Sequence, residues 1–370
     1  MKNKRSIVIS AGPIPGRLDS VKYITNRFKG GLAFKTAEML SHEFDVTIVK
    51  WKYADYKGDL KVVNIEDVDE YMEYMTTHEF DHYILAGAVA NLVPVNPWEG
   101  KFPLHNYSVG EEFDIKFTIA PRIIDEIKKK FPRSTLIGYK LFDGSEEELI
   151  EAGWETLISS RSNAVFCNTP KTAKTKKIMI LPDGSIHKMT FDEHIEKMKE
   201  IFELKWYSTK VFDFEGELDK HKNKIKKLSE LLKKIKTKRE PYEFGTVAHR
   251  LTEGSMVTTT RGKREDGFCK IFHINHSIRE VFSTHKATLN APFLEMLFDE
   301  YPDKKVILHG HIQLENIETL PYVFDGTMQY FNIINYIGDN KLTEFNIQNH
   351  GYYKLFSSFE DAEKWVNEKT

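Results

Sequence analysis

Apolar positions in the first half of the chain fall in short runs separated by segments of helical spacing. Residues 7–9, 46–49, 82–85, 136–139 and 164–167 are continuous apolar or β-branched stretches. Runs without polar alternation read as strands covered on both faces, as in a parallel sheet. Between them, Leu32, Phe34, Ala37 and Leu40 recur at helical spacing, and residues 65–75, 119–130 and 146–159 read as further helices. The helix at 119–130 closes on lysines, where cations suit the dipole. Residues 178–181 and 186–189 flank Pro182-Asp183-Gly184, a hairpin turn signal, and a helix over 191–204 follows. Repeated βα alternation predicts a doubly wound, Rossmann-like parallel sheet with ligands at the C-terminal strand ends.

The first βα unit, residues 6–40, carries the strongest local signal. Its strand ends in Ala11-Gly12-Pro13, and Gly30-Gly31 opens the helix. Backbone N–H groups at such a strand end and helix start can hold phosphate. The same pattern also suits an ordinary βα connection. Residues 212–240 mark a boundary: Leu218, Ile225, Leu228, Leu232 and Ile235 take heptad-like positions while lysines cover the other face. This reads as the first helix of a second domain, with an oligomer contact as one use of its apolar seam. The expected division is therefore 1–212 and 213–370.

Length agrees, since 370 residues suggest about two cores. With 41% hydrophobic and 29% charged residues the composition is that of a soluble protein, and a net charge of -2 gives no reason to expect a nucleic-acid partner. Cys167 and Cys269 lie far apart inside apolar runs, so two buried reduced thiols are expected. The basic N-terminus has too short an apolar run for a signal peptide, and no stretch is long and apolar enough to span a membrane. A cytoplasmic protein is expected.

The loop 18–27 (Leu-Asp-Ser-Val-Lys-Tyr-Ile-Thr-Asn-Arg) is followed by Gly87-Ala88-Val89-Ala90-Asn91, Glu99-Gly100-Lys101, Ile137-Gly138-Tyr139 and the strand 164–168. In order and spacing these resemble the phosphopantothenoylcysteine synthetase family of coenzyme A biosynthesis over roughly the first half of the chain. The resemblance implies a ligase that joins a carboxylate to an amine through an acyl-nucleotide, with CTP or ATP and Mg2+. It implies that Lys101 faces the phosphates and that Asn26 holds the acyl-nucleotide carbonyl. Gly12, Ala88, Val89 and Asn91 would line the nucleotide pocket. Asn91 stands where the family has aspartate, and Phe28-Lys29-Gly30-Gly31 replaces its serine-rich helix start, which suggests a changed acid or amine substrate.

A second constellation lies near the C-terminus: Val306-Ile307-Leu308-His309-Gly310-His311, then Asn349-His350-Gly351. Residues two apart on a strand share a face, so His309 and His311 can reach one ion. Three neutral imidazoles make a zinc site with an open position, the alternative being three structural histidines. Together with residues 245–250, Thr260-Arg261-Gly262-Lys263, Lys286-Ala287-Thr288-Leu289-Asn290 and Tyr301-Pro302-Asp303, the set resembles the class II aldolase/adducin family over most of residues 214–370. That implies an α/β domain with Zn2+ on His309, His311 and His350, acting on a small aldehyde or sugar phosphate. Asn290, Thr288 and Gly262 would belong to the same site. The family's acid/base glutamate is Asn290 here, and an amide takes up no proton near neutral pH. Glu295, one helical turn on, could substitute but reads rather as an exposed or structural carboxylate, and His249, His273, His276 and His285 as structural histidines.

The expected protein is thus a fused ligase and aldolase-like enzyme, homo-oligomeric as family aldolases are. The opposing reading is a non-catalytic binding or oligomerisation module built from the two folds.

Overall fold

The computed structural model describes residues 4–369 except 132, 174, 213, 236, 240–241, 252–254 and 262–266. The chain packs as two units: Met1–Leu181 with Lys188–Phe202, and Pro182–His187 with Glu203–Thr370. The boundary after Phe202 falls ten residues before the one expected from sequence. The segment Pro182–His187 is an excursion that sequence did not signal. No helix among the described residues is long and apolar enough to cross a membrane.

The first unit is built on an eight-stranded sheet. Its strands are β1 (Ser6–Ala11), β2 (Asp45–Trp51), β3 (Lys61–Ile65), β4 (His82–Leu85), β5 (Thr135–Leu141), β6 (Ala164–Asn168), β7 (Lys176–Ile180) and β8 (Ile186–Thr190). Their order is β8-β7-β6-β5-β4-β1-β2-β3. Every pairing from β3 to β6 is parallel, and β7 returns antiparallel to β6. The order 3-2-1-4-5-6 reverses between β1 and β4, which opens a crevice beyond their C-terminal ends. Strands β1, β2, β4 and β6 are almost wholly buried, as their unbroken apolar runs require. Helices α1 (Gly31–Ser41), α2 (Val68–Thr77), α3 (Ile123–Lys130), α4 (Glu146–Ser160) and α5 (Phe191–Glu203) complete the unit. A capping box formed by Ser145 and Glu148 starts α4, and α3 does end on three lysines. Both cysteines are buried and free, their thiols pushed up to about 12 by burial.

The second unit is built on a nine-stranded sheet: β9 (Ser208–Val211), β10 (Thr246–Arg250), β11 (Met256–Thr259), β12 (Phe268–Asn275), β13 (Glu280–Ser283), β14 (Val306–Gly310), β15 (Thr319–Leu320), β16 (Glu344–Ile347) and β17 (Gly351–Phe356). The order is β9-β13-β12-β11-β10-β14-β17-β16-β15, antiparallel except at its two edge pairs. Period-two alternation divides the core. Ala248, Ile307, Phe345 and Tyr353 pack with α7 (Ala291–Glu300) and α8 (Phe331–Asp339), while Val247, Val306, Leu308 and Tyr352 pack with the remaining two helices. These are α6 (Lys222–Ile235) and α9 (Phe359–Lys369). The heptad-like helix is α6. Leu228 and Leu232 are buried against this unit's own sheet and Ile225 and Ile235 pack beside them, so the seam serves the core.

Candidate functional site

In the first unit the crevice beyond β1 and β4 is shaped by glycine. Gly12 leaves β1 at φ 75°, and Gly30 caps α1 at φ 82°, both in the left-handed region. A Cβ on Gly30 would stand 2.4 Å from the Gly12 nitrogen, so the helix start is held directly against the strand end. No side chain caps α1, and its first turn carries no acid, which leaves its leading N–H groups for an anion. Gly12 O accepts from Ala88 N at 2.8 Å, which joins the turn after β4 to the same crevice.

Asn26 reaches that turn as well. Its Nδ2 donates to Ala88 O and Val89 O, each at 3.1 Å, and reaching an acyl carbonyl would take release of one of them. Gly12, Asn26, Ala88 and Val89 therefore lie together. Asn91 is exposed and Lys101 is exposed on its loop. Sequence reasoning missed the residue that places this loop. Asp19 is fully buried and accepts from Val21 N (2.7 Å), Lys22 N (2.6 Å) and Phe102 N (3.1 Å), with Lys22 Nζ at 2.8 Å. The Lys22 ammonium beside it, aided by the backbone N–H groups, holds its carboxyl well below the usual range. Ser20 N also donates to Gly100 O, so residues 100–102 are tied to the 18–22 turn. The signal available was an Asp one residue into a turn, the position that favours Asx geometry.

In the second unit β14 and β17 bring the three histidines together. His309 lies on the α7/α8 face of β14 and is buried, with its ring stacked on Tyr353 at 4.2 Å. Gly310 pairs with Tyr352, and a Cβ on Gly351 (φ 142°) would stand 2.0 Å from Gly310 O. Asn349 takes φ 59° in the same tight turn. The glycines of the two motifs thus let the strand ends meet, and His350 is delivered to within 4.6 Å of the His309 ring and 5.1 Å of the His311 ring.

The residues present fit a bound metal. One ligand atom from each histidine lies within 4.8 Å of the others. His309 Nδ1 donates to Tyr352 O at 2.8 Å, which leaves the Nε2 lone pair for a ligand, and that Nε2 is 3.2 Å from His311 Nε2. Two nitrogens on a tetrahedral zinc stand about 3.3 Å apart, given Zn–N near 2.05 Å. His350 is buried, both its ring nitrogens lack a hydrogen-bond partner, and burial holds it in the neutral, ligating form.

Two carboxylates adjoin this group. Asp325 Oδ2 lies 3.3 Å from His350 Nε2. Tyr330 donates to Asp325 Oδ1, and the Asn290 amide, turned to suit its neighbours, donates to the same oxygen at 2.9 Å. Burial and the neighbouring Asp183 charge push the Asp325 carboxyl well above the usual range. Thr288 Oγ1 is 3.3 Å from Thr246 Oγ1, on the strand beside His309. Gly262 lies outside the described residues. Glu295 is engaged by His276 Nε2 at 2.7 Å, and His276 Nδ1 meets Tyr207 Oη at 2.6 Å. Among the described residues, His249, His273, His276 and His285 take no part in the groups that could hold a metal.

A doubly wound sheet with a glycine-shaped crevice at its switch point defines the class of the first unit, a Rossmann-like α/β fold. The chain belongs to the DNA/pantothenate metabolism flavoprotein C-terminal domain family, which residues 2–202 match. It is similar to the coenzyme A biosynthesis bifunctional protein CoaBC of Thermococcus kodakarensis, 28% identical over 179 residues. The match takes in 46% of this chain and 42% of that relative, so the chain spans less than half the relative's length. Among solved structures it is similar to the DNA/pantothenate metabolism flavoprotein from Streptococcus pneumoniae, with 21% identity, TM-score 0.46, 53% of this chain and 97% of that one. It is also similar to YgbL from Escherichia coli, with 14% identity, TM-score 0.32, 41% of this chain and 84% of that one.

Proposed function

We propose that the first unit is a nucleotide-dependent ligase of the phosphopantothenate–cysteine type. The observation that carries this is the uncapped start of α1 held against Gly12, in a chain of this family. A carboxylate oxygen attacks the α-phosphate of CTP or ATP, presented as its Mg2+ complex, and pyrophosphate leaves. The amine nitrogen then attacks the acyl carbon, losing a proton as the nucleoside monophosphate departs with the C–O bond's electrons. The α1 N–H groups and Lys101 hold the phosphates, and Asn26 positions the turn at Ala88 and Val89 and faces the acyl carbonyl. Asn91 meets the base. The test is pyrophosphate release by the full chain with CTP or ATP, 4'-phosphopantothenate and cysteine. Lys101→Ala should lower kcat about a hundredfold, the usual order for losing a transition-state charge contact. Its thermal midpoint should not change, because the side chain is exposed. No pyrophosphate with either nucleotide would overturn the reading.

The second unit, on the same reading, holds zinc through His309, His311 and His350 and acts on a small aldehyde or sugar phosphate. When bound, zinc supplies a Lewis acid that polarises a carbonyl oxygen. Thr288 and Asn290 line the approach. A homo-oligomer in the cytoplasm completes the proposal. One observation favours a second reading, a binding or oligomerisation module: Asn290 offers only an amide where a base is needed, and that amide is committed to Asp325. Zinc-loaded protein that neither forms nor cleaves a carbon–carbon bond with dihydroxyacetone phosphate and small aldehydes would decide for the module.

A further inference from the structure

The second unit buries two carboxylates beside its histidines, with no lysine or arginine among the described residues paired to either. Asp183 comes from the turn between β7 and β8, over a hundred residues away in sequence, and Asp325 from the loop before α8. Each is less than a tenth exposed. Asp183 Oδ1 accepts from Ser185 N (2.8 Å) and Ser185 Oγ (2.7 Å), and its Oδ2 from Tyr322 Oη (2.6 Å). Asp325 accepts from Tyr330 and Asn290. The Tyr330 hydrogen bond favours the ionised form of Asp325, while burial and the Asp183 charge oppose it. One oxygen of each carboxylate and one nitrogen of His350 all lie within 4.8 Å of one another. Among the described residues no lysine or arginine pairs with either acid.

Two buried carboxyl groups at that distance can both carry charge only with a positive charge between them. A proton on the carboxylates would ease their repulsion and could be shared with His350 Nε2, 3.3 Å from Asp325 Oδ2, but it would still leave His350 Nδ1 buried without a partner. A single ion on the three histidines takes one of the two His350 nitrogens and leaves the other. A second cation placed among the two carboxylate oxygens and the His350 nitrogen near them satisfies all three together.

We propose that Asp183, Asp325 and His350 form a second divalent-cation position, adjoining the three-histidine position and sharing His350 with it. The proposal builds on the three-histidine reading. Two carboxylate oxygens and one nitrogen suit a harder ion than zinc, of the Mn2+ or Mg2+ kind. Serving two ions, His350 gives up its ring N–H proton to solvent, so loading both positions releases one proton more than loading the first. The site also draws on Asp183, so a fragment beginning at residue 213 would lack one of its ligands.

The full chain, stripped with chelator and reloaded with Zn2+ and Mn2+, tests this by elemental analysis and Mn2+ paramagnetic resonance. Wild type should hold one Zn2+ and one Mn2+ per chain. Asp183→Asn and, separately, Asp325→Asn should lose the Mn2+ and its resonance signal while keeping the Zn2+, with folding checked by circular dichroism. The double variant His309→Ala/His311→Ala should keep Mn2+ and lose Zn2+. One ion per chain, unchanged in Asp183→Asn, would overturn the second position and leave the three-histidine reading standing. One ion weakened tenfold or more in Asp325→Asn would make that acid an orienting partner of His350 and overturn it too. No ion at all in wild type would overturn both readings.

Discussion

His309 Nε2 and His311 Nε2 point at each other across 3.2 Å, while the far nitrogen of His309 is fixed by the Tyr352 carbonyl. Without an ion His311 Nε2 donates to His309 Nε2, whose own proton is on Tyr352; with an ion between them both Nε2 lone pairs can bind it instead. Zinc should therefore stabilise the second unit by about 2.7 kcal/mol when present at a hundredfold over its dissociation constant. Chelator should lower the thermal midpoint and added zinc restore it. His309→Ala should abolish the zinc response. A midpoint indifferent to chelator would contradict the geometry.

Asp19 predicts an acid limb in the stability of the first unit. Its folded pKa is depressed by Lys22 and three backbone donors, so its contribution is complete above the unfolded value near 3.9. It fades as pH falls below that value, because the unfolded chain then takes up a proton that the folded chain refuses. In urea unfolding, the gap between wild type and Asp19→Asn should be constant from pH 7 to 5 and narrow between pH 4 and 3. Nucleotide-dependent activity of Asp19→Asn should fall as well, since residues 100–102 lose their tie.

Gly30 and Gly31 are adjacent and look alike in sequence, but they should respond oppositely to alanine. At Gly30 the left-handed backbone and a Cβ 2.4 Å from the Gly12 nitrogen should cost about 1–3 kcal/mol. At Gly31 nothing lies within 4 Å, and a helical alanine gains up to about 1 kcal/mol over glycine. Thermal melts of the two variants check this. Equal destabilisation would show that the contact with Gly12 does not matter.

Much of this architecture was legible because both faces of a parallel sheet must be apolar, and residues 7–9, 46–49 and 164–167 say so without context. Gly12 with Gly30, and His309 with His350, were legible for a local reason too: turns that need positive φ or close approach admit few residues. What sequence hid was long-range pairing between polar groups. Asp19 gives no sign that it will hold Phe102 N, and Asp325 sits in an unremarkable loop. Pro182-Asp183-Gly184 reads as a hairpin turn, and it is one. Its burial beside Tyr322 and His350 depends on tertiary packing that no local pattern encodes. The heptad-like spacing of α6 fitted an oligomer seam as well as a core face, and only the sheet beneath it decides between them.

His82 offers a test of how burial alone shapes stability. It lies on β4, stacked on Phe202 at 4.2 Å, with both ring nitrogens buried and without a hydrogen-bond partner. Burial, helped by the nearby Arg5 charge, lowers its pKa from 6.5 to about 4. The unfolded imidazole takes up a proton as pH drops through 6.5, whereas the folded one resists until about 4, so stability present above neutrality drains away across that window. At pH 5 the loss from this one residue is about 2 kcal/mol. His82→Leu keeps the apolar contact and removes the titration. It should unfold in urea within about 1 kcal/mol of wild type at pH 8, where only the unpaired nitrogens differ, and be the more stable protein by about 2 kcal/mol at pH 5. A shift of the same size at both pH values would mean that His82 is as easily protonated in the folded chain as in the unfolded one.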